Sequence, residues 1–238
     1  MTWSYGVTTV PARRDSLLPR TLKSLRAAGF DRPRLFVDGG RDSDSWADEF
    51  GLDVTVRTGP PVKAYANWVL ALWELFAREP MADRFAVFQD DVLVVKNLRG
   101  YLERVPLLDG GKVYWNLFTY PPGRQIELPR ERGFHKSNQL GRGALGLVFD
   151  RQGVVDLLGS RFMAERPLDP DKGTRNLDGG VLQTLKGQGY TEMVHRPSLT
   201  EHLGEESTID RPGGSLIRVS ADFPGEGFDA MDLITSGV

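Results

Sequence analysis

The sequence predicts an α/β domain with a mostly parallel central sheet flanked by helices. Short apolar, β-prone runs alternate with segments of helical period through the first two-fifths of the chain, the pattern of βαβ units. One stretch, F-A-V-F-Q-D-D-V-L-V-V (Phe85 to Val95), holds an apolar run up to Gln89, two carboxylates and a second apolar run, Val92 to Val95; short runs of this kind suit a strand buried on both faces of a parallel sheet. The 238 residues show no repeat and no low-complexity linker, which suits a single large domain.

Each element has its own signal. Tyr5 to Val10 reads as the first strand. Leu17, Leu18, Leu22 and Leu25 then recur at helical spacing until Gly29 stops the helix. Arg34 to Val37 is a second strand, followed by a polar helix at Ser43 to Phe50 and a short strand at Asp53 to Val56. Thr58-Gly59-Pro60-Pro61 breaks the chain before a long helix, Val62 to Arg78, whose Tyr65, Val69, Leu72, Trp73 and Phe76 form an apolar face. Beyond the Phe85 to Val95 stretch come a helix at Leu98 to Val105 and a strand at Val113 to Phe118. Pro121 to Arg142 has little periodicity and reads as a long loop. Gly143 to Phe149 is a strand, and Asp150 is the N-cap of a helix at Arg151 to Leu158. A polar loop at 160–175, a helix at Asn176 to Gly187, a strand at Thr191 to His195 and a Gly/Pro-rich tail after Asp210 complete the chain.

Composition narrows the function. A net charge of −2 gives no global pull toward nucleic acid or anionic membrane. With no cysteine, disulfides, thiolate zinc sites and cysteine nucleophiles are excluded. No run of about 18 apolar residues and no signal-peptide pattern is visible, so the expectation is a cytoplasmic protein, or one of a host cytoplasm, with no membrane partner.

The candidate site follows from strand ends. Two ionised aspartates cannot sit in a dry core without a compensating charge, so Asp90 and Asp91 belong at the carboxyl end of their strand, where open sheets hold ligands. Their oxygens suit a hard divalent ion carrying phosphate oxygens of a nucleotide; they would also serve as a polar strand end. Thr8 to Asp15, T-T-V-P-A-R-R-D, directly follows strand one, where amides and a guanidinium could hold a base or phosphate. Asp38 ends strand two on the same edge and could bond a ribose or cap the next turn. Lys63 and Asn67 lie i, i+4 on one helix face after the Gly-Pro-Pro break, where they could reach the nucleotide or form a solvated face. Asp178 stands in a helix first turn, where dipole complementarity alone would also place it. His202 lies in a polar segment after a strand, where it could complete a coordination shell with Asp91 or stand as a plain polar residue.

Read in order, T-x-V-P-x-R, L-P-R-T-L-K-S-L, Asp38, F-Q-D-D-V, G-A-L-G-L-V-F, L-D-G-G and H-L-G-x-x-S-T resemble the GT-A nucleotide-sugar glycosyltransferases over roughly residues 5 to 208. The resemblance implies a single GT-A (Rossmann-like) domain at 1–209, its donor half about 1–95 and acceptor half about 96–209, with 210–238 as a tail. It implies a metal-dependent, inverting hexosyltransferase using Mn²⁺ or Mg²⁺ and a UDP-sugar. Asp91 and His202 would be metal ligands and Asp178 the general base. Thr9, Pro11, Arg13, Asp38, Lys63, Asn67 and Asp90 would line the nucleotide pocket. Gln89 stands where many members carry an acidic residue, leaving the site one charge short.

Acceptor identity is open: a glycan, a small molecule or a hydroxymethylated base of viral DNA. The basic stretch of Arg124, Arg130, Arg132, Lys136 and Arg142, against Glu127 and Glu131, could contact a polyanionic acceptor or simply cover the donor site. Two rival readings are a non-catalytic nucleotide-sugar or glycan-binding domain and a sugar nucleotidyltransferase. The latter would want a Gly-rich, Arg-containing loop where T-T-V-P-A-R stands.

Overall fold

A computed structural model of the chain describes residues 1–106, 111–121, 128–165, 177–203, 219–220 and 222–235. The strands are β1 (Trp3–Thr9), β2 (Arg34–Asp38), β3 (Val54–Arg57), β4 (Arg84–Gln89), β5 (Val92–Val94), β6 (Val113–Asn116), β7 (Gly133–Lys136), β8 (Gly146–Asp150), β9 (Thr191–Arg196) and β10 (Thr200–His202). The helices are α1 (Leu17–Ala27), α2 (Ser43–Phe50), α3 (Lys63–Arg78), α4 (Leu98–Arg104), α5 (Arg151–Leu158), α6 (Arg161–Glu165), α7 (Leu177–Gly187) and α8 (Asp232–Thr235). None is long and apolar enough to cross a membrane among the described residues.

Eight strands form one sheet in the order β3-β2-β1-β4-β8-β6-β9-β7. The four from β3 to β4 are parallel, β8 opposes β4 and β6, and β9 runs parallel to β6. The carboxyl ends of β1, β2, β3, β4, β6 and β9 therefore share one edge, and only β7 and β8 run the other way. The mostly parallel sheet read from the sequence is present.

Strand period two sorts the apolar side chains onto the two faces. Leu35, Val37, Ala86, Phe88 and Val148 enter one core cluster with Leu18 and Leu25 of α1. Their neighbours Phe36, Phe85, Val87, Leu147 and Phe149 enter the other with Trp68 and Leu72 of α3, Val154 of α5 and Val181 of α7. Both faces of the sheet are thus covered, and this makes the central strands read as continuous apolar runs.

Two expectations need correction, and one gains detail. β4 ends at Gln89, at the strand end that Asp90 and Asp91 mark in the sequence, while Val92–Val94 leaves the sheet to pair antiparallel with β10 in a separate two-stranded ribbon. The Pro121 to Arg142 loop contains β7, an edge strand of four residues whose polar composition hides its period. The 160–175 loop begins with α6. In the tail, residues 228–230 pack on the domain: Lys96 N donates to Phe228 O at 2.9 Å, Ala230 N donates to Lys96 O at 2.9 Å, and Ala230 is fully buried.

β9 also carries a buried histidine with a defined tautomer. His195 Nδ1 lies 2.6 Å from Pro197 O, which can only accept, so Nε2 is the acceptor for Tyr101 O–H at 2.8 Å. Burial pushes the imidazole down to about 4. Because the unfolded chain binds this proton more readily, His195 contributes stability above about pH 6.5 that is lost as pH falls toward 4, about 3 kcal/mol in all. Urea unfolding across this window should show wild type losing that much more stability than His195→Gln; parallel pH profiles would refute the assignment.

Candidate active site

Backbone geometry first brings the carboxylates to the sheet edge. β4 ends at Gln89, and Asp90 and Asp91 form the turn into β5. That turn is fastened from α1. Thr21 Oγ donates to Asp90 O at 2.8 Å and accepts from Val92 N at 3.2 Å; Ser24 Oγ donates to Val94 O at 3.2 Å and accepts from Val94 N at 2.9 Å. Two buried hydroxyls, i and i+3 on one helix face, replace a neighbouring strand along this edge of β5. Its other edge pairs with β10, placing His202 opposite Val92, and Leu203 N donates to Asp91 O at 2.7 Å.

The side chains then converge. Thr9 O–H donates to Asp90 Oδ2 at 2.6 Å. Arg13, at the end of a 3₁₀ turn (Pro11–Arg13) after β1, places Nη1 2.8 Å from Asp90 Oδ1 and 2.5 Å from Asp91 Oδ2. His202 Nε2 lies 3.2 Å from the same Asp91 oxygen. Burial opposes ionisation of both carboxyls. It pushes Asp90 up to about 6, leaving it charged at neutral pH; at Asp91 the His202 contact and Arg13 outweigh it and hold the group below the usual range. The pair raises Arg13 in turn, against its own burial.

The remaining predicted residues occupy the same edge with different partners. Asp38 accepts from Val62 N at 2.9 Å and Lys63 N at 2.7 Å, tying the end of β2 to the start of α3. Lys63 has φ 68° and an exposed side chain, and Pro11 is exposed at the head of its turn. Asn67 is buried, accepting from Arg57 Nε at 2.8 Å and donating to Phe36 O at 2.9 Å, so its amide braces β2 and β3 and does not meet the Asp90–Asp91 cluster.

Asp178, in the first turn of α7, is half-buried and accepts from Gly143 N at 2.6 Å through Oδ2. Its Oδ1 has no hydrogen bond among the described residues. A turn of Gly141, Arg142 and Gly143 packs on this helix end: Gly141 has φ 60°, and a Cβ there would lie 2.6 Å from Asp178 O. The segment continues to Ala144 and Leu145, whose carbonyls accept from Gln89 Nε2 at 2.9 Å and Gln89 N at 3.0 Å. Asp178 is therefore joined to the Asp90–Asp91 turn through one short segment, one strand over on the same edge. Gln89, in place of an acidic residue, supplies that link.

Glu192 of β9 was not singled out by the sequence. It is buried, receives Ser137 O–H at 2.6 Å, Asn116 Nδ2 at 3.2 Å and Tyr114 O–H at 3.2 Å, and burial raises its carboxyl. Asp178 is close enough to raise it further. The available signal was a charged residue inside the otherwise apolar run T-E-M-V-H.

No protein-family model and no curated protein sequence matches the chain. Solved structures do. A mannose-1-phosphate geranyltransferase from Thermus thermophilus is 15% identical over 82% of this chain and 74% of its own, with a TM-score of 0.52. GalNAc-T7, solved with UDP, GalNAc and Mn²⁺, is 11% identical over 84% of this chain and 44% of its own, with a TM-score of 0.56. The chain has the GT-A fold.

Within this GT-A edge the donor set fits a hard divalent ion. Asp91 Oδ1 is buried and accepts no hydrogen bond among the described residues, an unmet acceptor beside His202. Among the described residues no group of three or more His, Asp or Glu side chains could hold a metal unaided. Asp91 and His202 would give two ligands, leaving the rest to phosphate oxygens and water, the mode of nucleotide-bound Mg²⁺ or Mn²⁺.

Proposed function

We propose that this chain is a metal-dependent, inverting glycosyltransferase that moves a sugar from a nucleoside-diphosphate sugar, UDP-sugar before others, to an acceptor hydroxyl. The carrying observation is the pairing of two carboxylate environments on one GT-A edge. Asp91 is buried and ionised with one oxygen that has no hydrogen bond among the described residues, while Asp178, half-buried, has one oxygen anchored and the other without a bond among those residues. The first is suited to a cation and the second to a proton.

A bound Mn²⁺ or Mg²⁺ would neutralise the charge growing on the departing diphosphate. The chain's own residues do the rest. Thr9 fixes Asp90, leaving that turn rigid for a ribose or diphosphate. Asp38 holds the start of α3, which presents Lys63 on the edge where a base would lie. Asp178 Oδ1 takes the acceptor hydroxyl's proton as that oxygen attacks, while the Gly143 amide keeps the carboxylate aimed. Attack from the face opposite the diphosphate inverts the anomeric centre.

The acceptor side has its own chemistry. Arg130, Arg132 and Arg196 line a cavity of about 250 Å³ with Asp222 and Phe228 at the β7–β9 end of the sheet. At roughly 4.8 Å per strand, β9 lies about 14 Å along the edge from β4. Arg130 and Arg132 are exposed and make no ion pair among the described residues. This favours an acceptor with anionic groups, a charged glycan or hydroxymethylated DNA, over a small neutral molecule; Arg124 and Glu127 lie outside the described residues.

Thermal unfolding with a panel of nucleotides and nucleotide sugars, each with and without Mn²⁺, tests the reading. A UDP-type ligand at about a hundred times its Kd should stabilise by about 2.7 kcal/mol, a midpoint shift of roughly 5–10 °C, and only with metal. Slow metal-dependent donor hydrolysis separates an enzyme from a binder. Absence of any nucleotide response would overturn the proposal and leave the fold.

A further inference from the structure

One nitrogen of Arg13 serves both carboxylates. Nη1 contacts Asp90 Oδ1 and Asp91 Oδ2, and His202 Nε2 approaches that same Asp91 oxygen. All four side chains are at most 10% exposed. Asp91 and His202 would hold a dication beside the guanidinium, on the same carboxylate. A guanidinium and a dication on one carboxylate repel each other, most strongly where water is excluded.

We propose that Arg13 is a displaceable counter-cation. Without donor it neutralises the Asp90–Asp91 pair; when a nucleoside diphosphate arrives, the guanidinium turns to the phosphates and yields Asp91 to the divalent ion. The donor's identity rests on the glycosyltransferase reading, whereas the exchange at Asp91 does not. Two features suit it. Arg13 ends a single 3₁₀ turn and lies outside any helix interior, and Asp90 keeps its Thr9 hydrogen bond when the guanidinium leaves. Guanidinium also matches a diphosphate bidentately, so its new partner compensates for the old. Metal and nucleotide then tighten each other by the same factor, as linkage requires.

The test is Mn²⁺ binding by electron paramagnetic resonance, with and without UDP, to wild type, Arg13→Gln and Arg13→Lys. Arg13→Gln should bind Mn²⁺ alone about tenfold more tightly than wild type, a typical size for such coupling, and gain much less from UDP. Arg13→Lys, which keeps the charge, should remain near wild type. If Arg13→Gln binds Mn²⁺ no more tightly while UDP still binds, the exchange is wrong and the glycosyltransferase reading survives. Tighter Mn²⁺ binding with no nucleotide response in either protein would leave the exchange standing and remove that reading. For a variant too unstable to titrate, thermal midpoints decide: Mn²⁺ must raise Arg13→Gln several-fold more than wild type, and equal shifts overturn the proposal.

Discussion

Asp178→Asn should lower turnover about 10³-fold, the usual loss when a positioned general base is removed, with donor affinity and fold retained. The substitution is nearly isosteric, and the amide oxygen can still accept from Gly143 N, so the 141–143 turn keeps its attachment to α7. What disappears is the basic oxygen and a charge in the first turn, whose interaction with the helix dipole is worth about 0.3–1 kcal/mol. A loss in kcat with unchanged donor KM and a midpoint within a few degrees of wild type would match a group acting in the transition state. A variant that turns over normally while folded would remove Asp178 from the chemistry and leave its contact with Gly143 as its role.

Asp91→Asn should abolish the metal-dependent part of nucleotide stabilisation and reduce turnover by at least about 10³-fold, since a Lewis-acid ion supplies several kcal/mol of charge stabilisation. The introduced amide would keep the shape of the turn, and Arg13 would keep Asp90. The protein should therefore fold, bind nucleotide weakly without Mn²⁺, and show no further response when Mn²⁺ is added. Calorimetric titration of Mn²⁺ in the presence of UDP reads this directly. A wild-type metal response in Asp91→Asn would move the metal elsewhere in the chain.

Local signals made much of this fold readable. Ser43–Phe50 and Arg151–Leu158 have the limits read from the sequence, and Asp150 accepts from Gly153 N at 2.6 Å as an N-cap should. β7 escaped because Gly133-Phe134-His135-Lys136 is short, polar and at the sheet edge, where pairing to β9 supplies what propensity does not. At the site, strand-end logic put Asp90 and Asp91 on the ligand edge from sequence alone. It could not show that Arg13, 77 positions earlier than Asp90, would meet both, because β1 and β4 become neighbours only in the folded sheet. Asn67 had helix spacing in common with Lys63, but spacing does not distinguish a face turned to ligand from one turned to Arg57. Thr21 and Ser24 were not singled out by the sequence; their role depends on a strand about 70 residues away.

That hydroxyl pair has a consequence for solubility. β5 is apolar and short, the sort of strand whose open amides template pairing with other chains. Here α1 occupies one side and β10 the other. The turn can thus carry an apolar strand beside its carboxylates without offering an adhesive edge. Replacing Thr21 and Ser24 by alanine would expose that liability first as aggregation during folding, before any loss appeared in the assembled site.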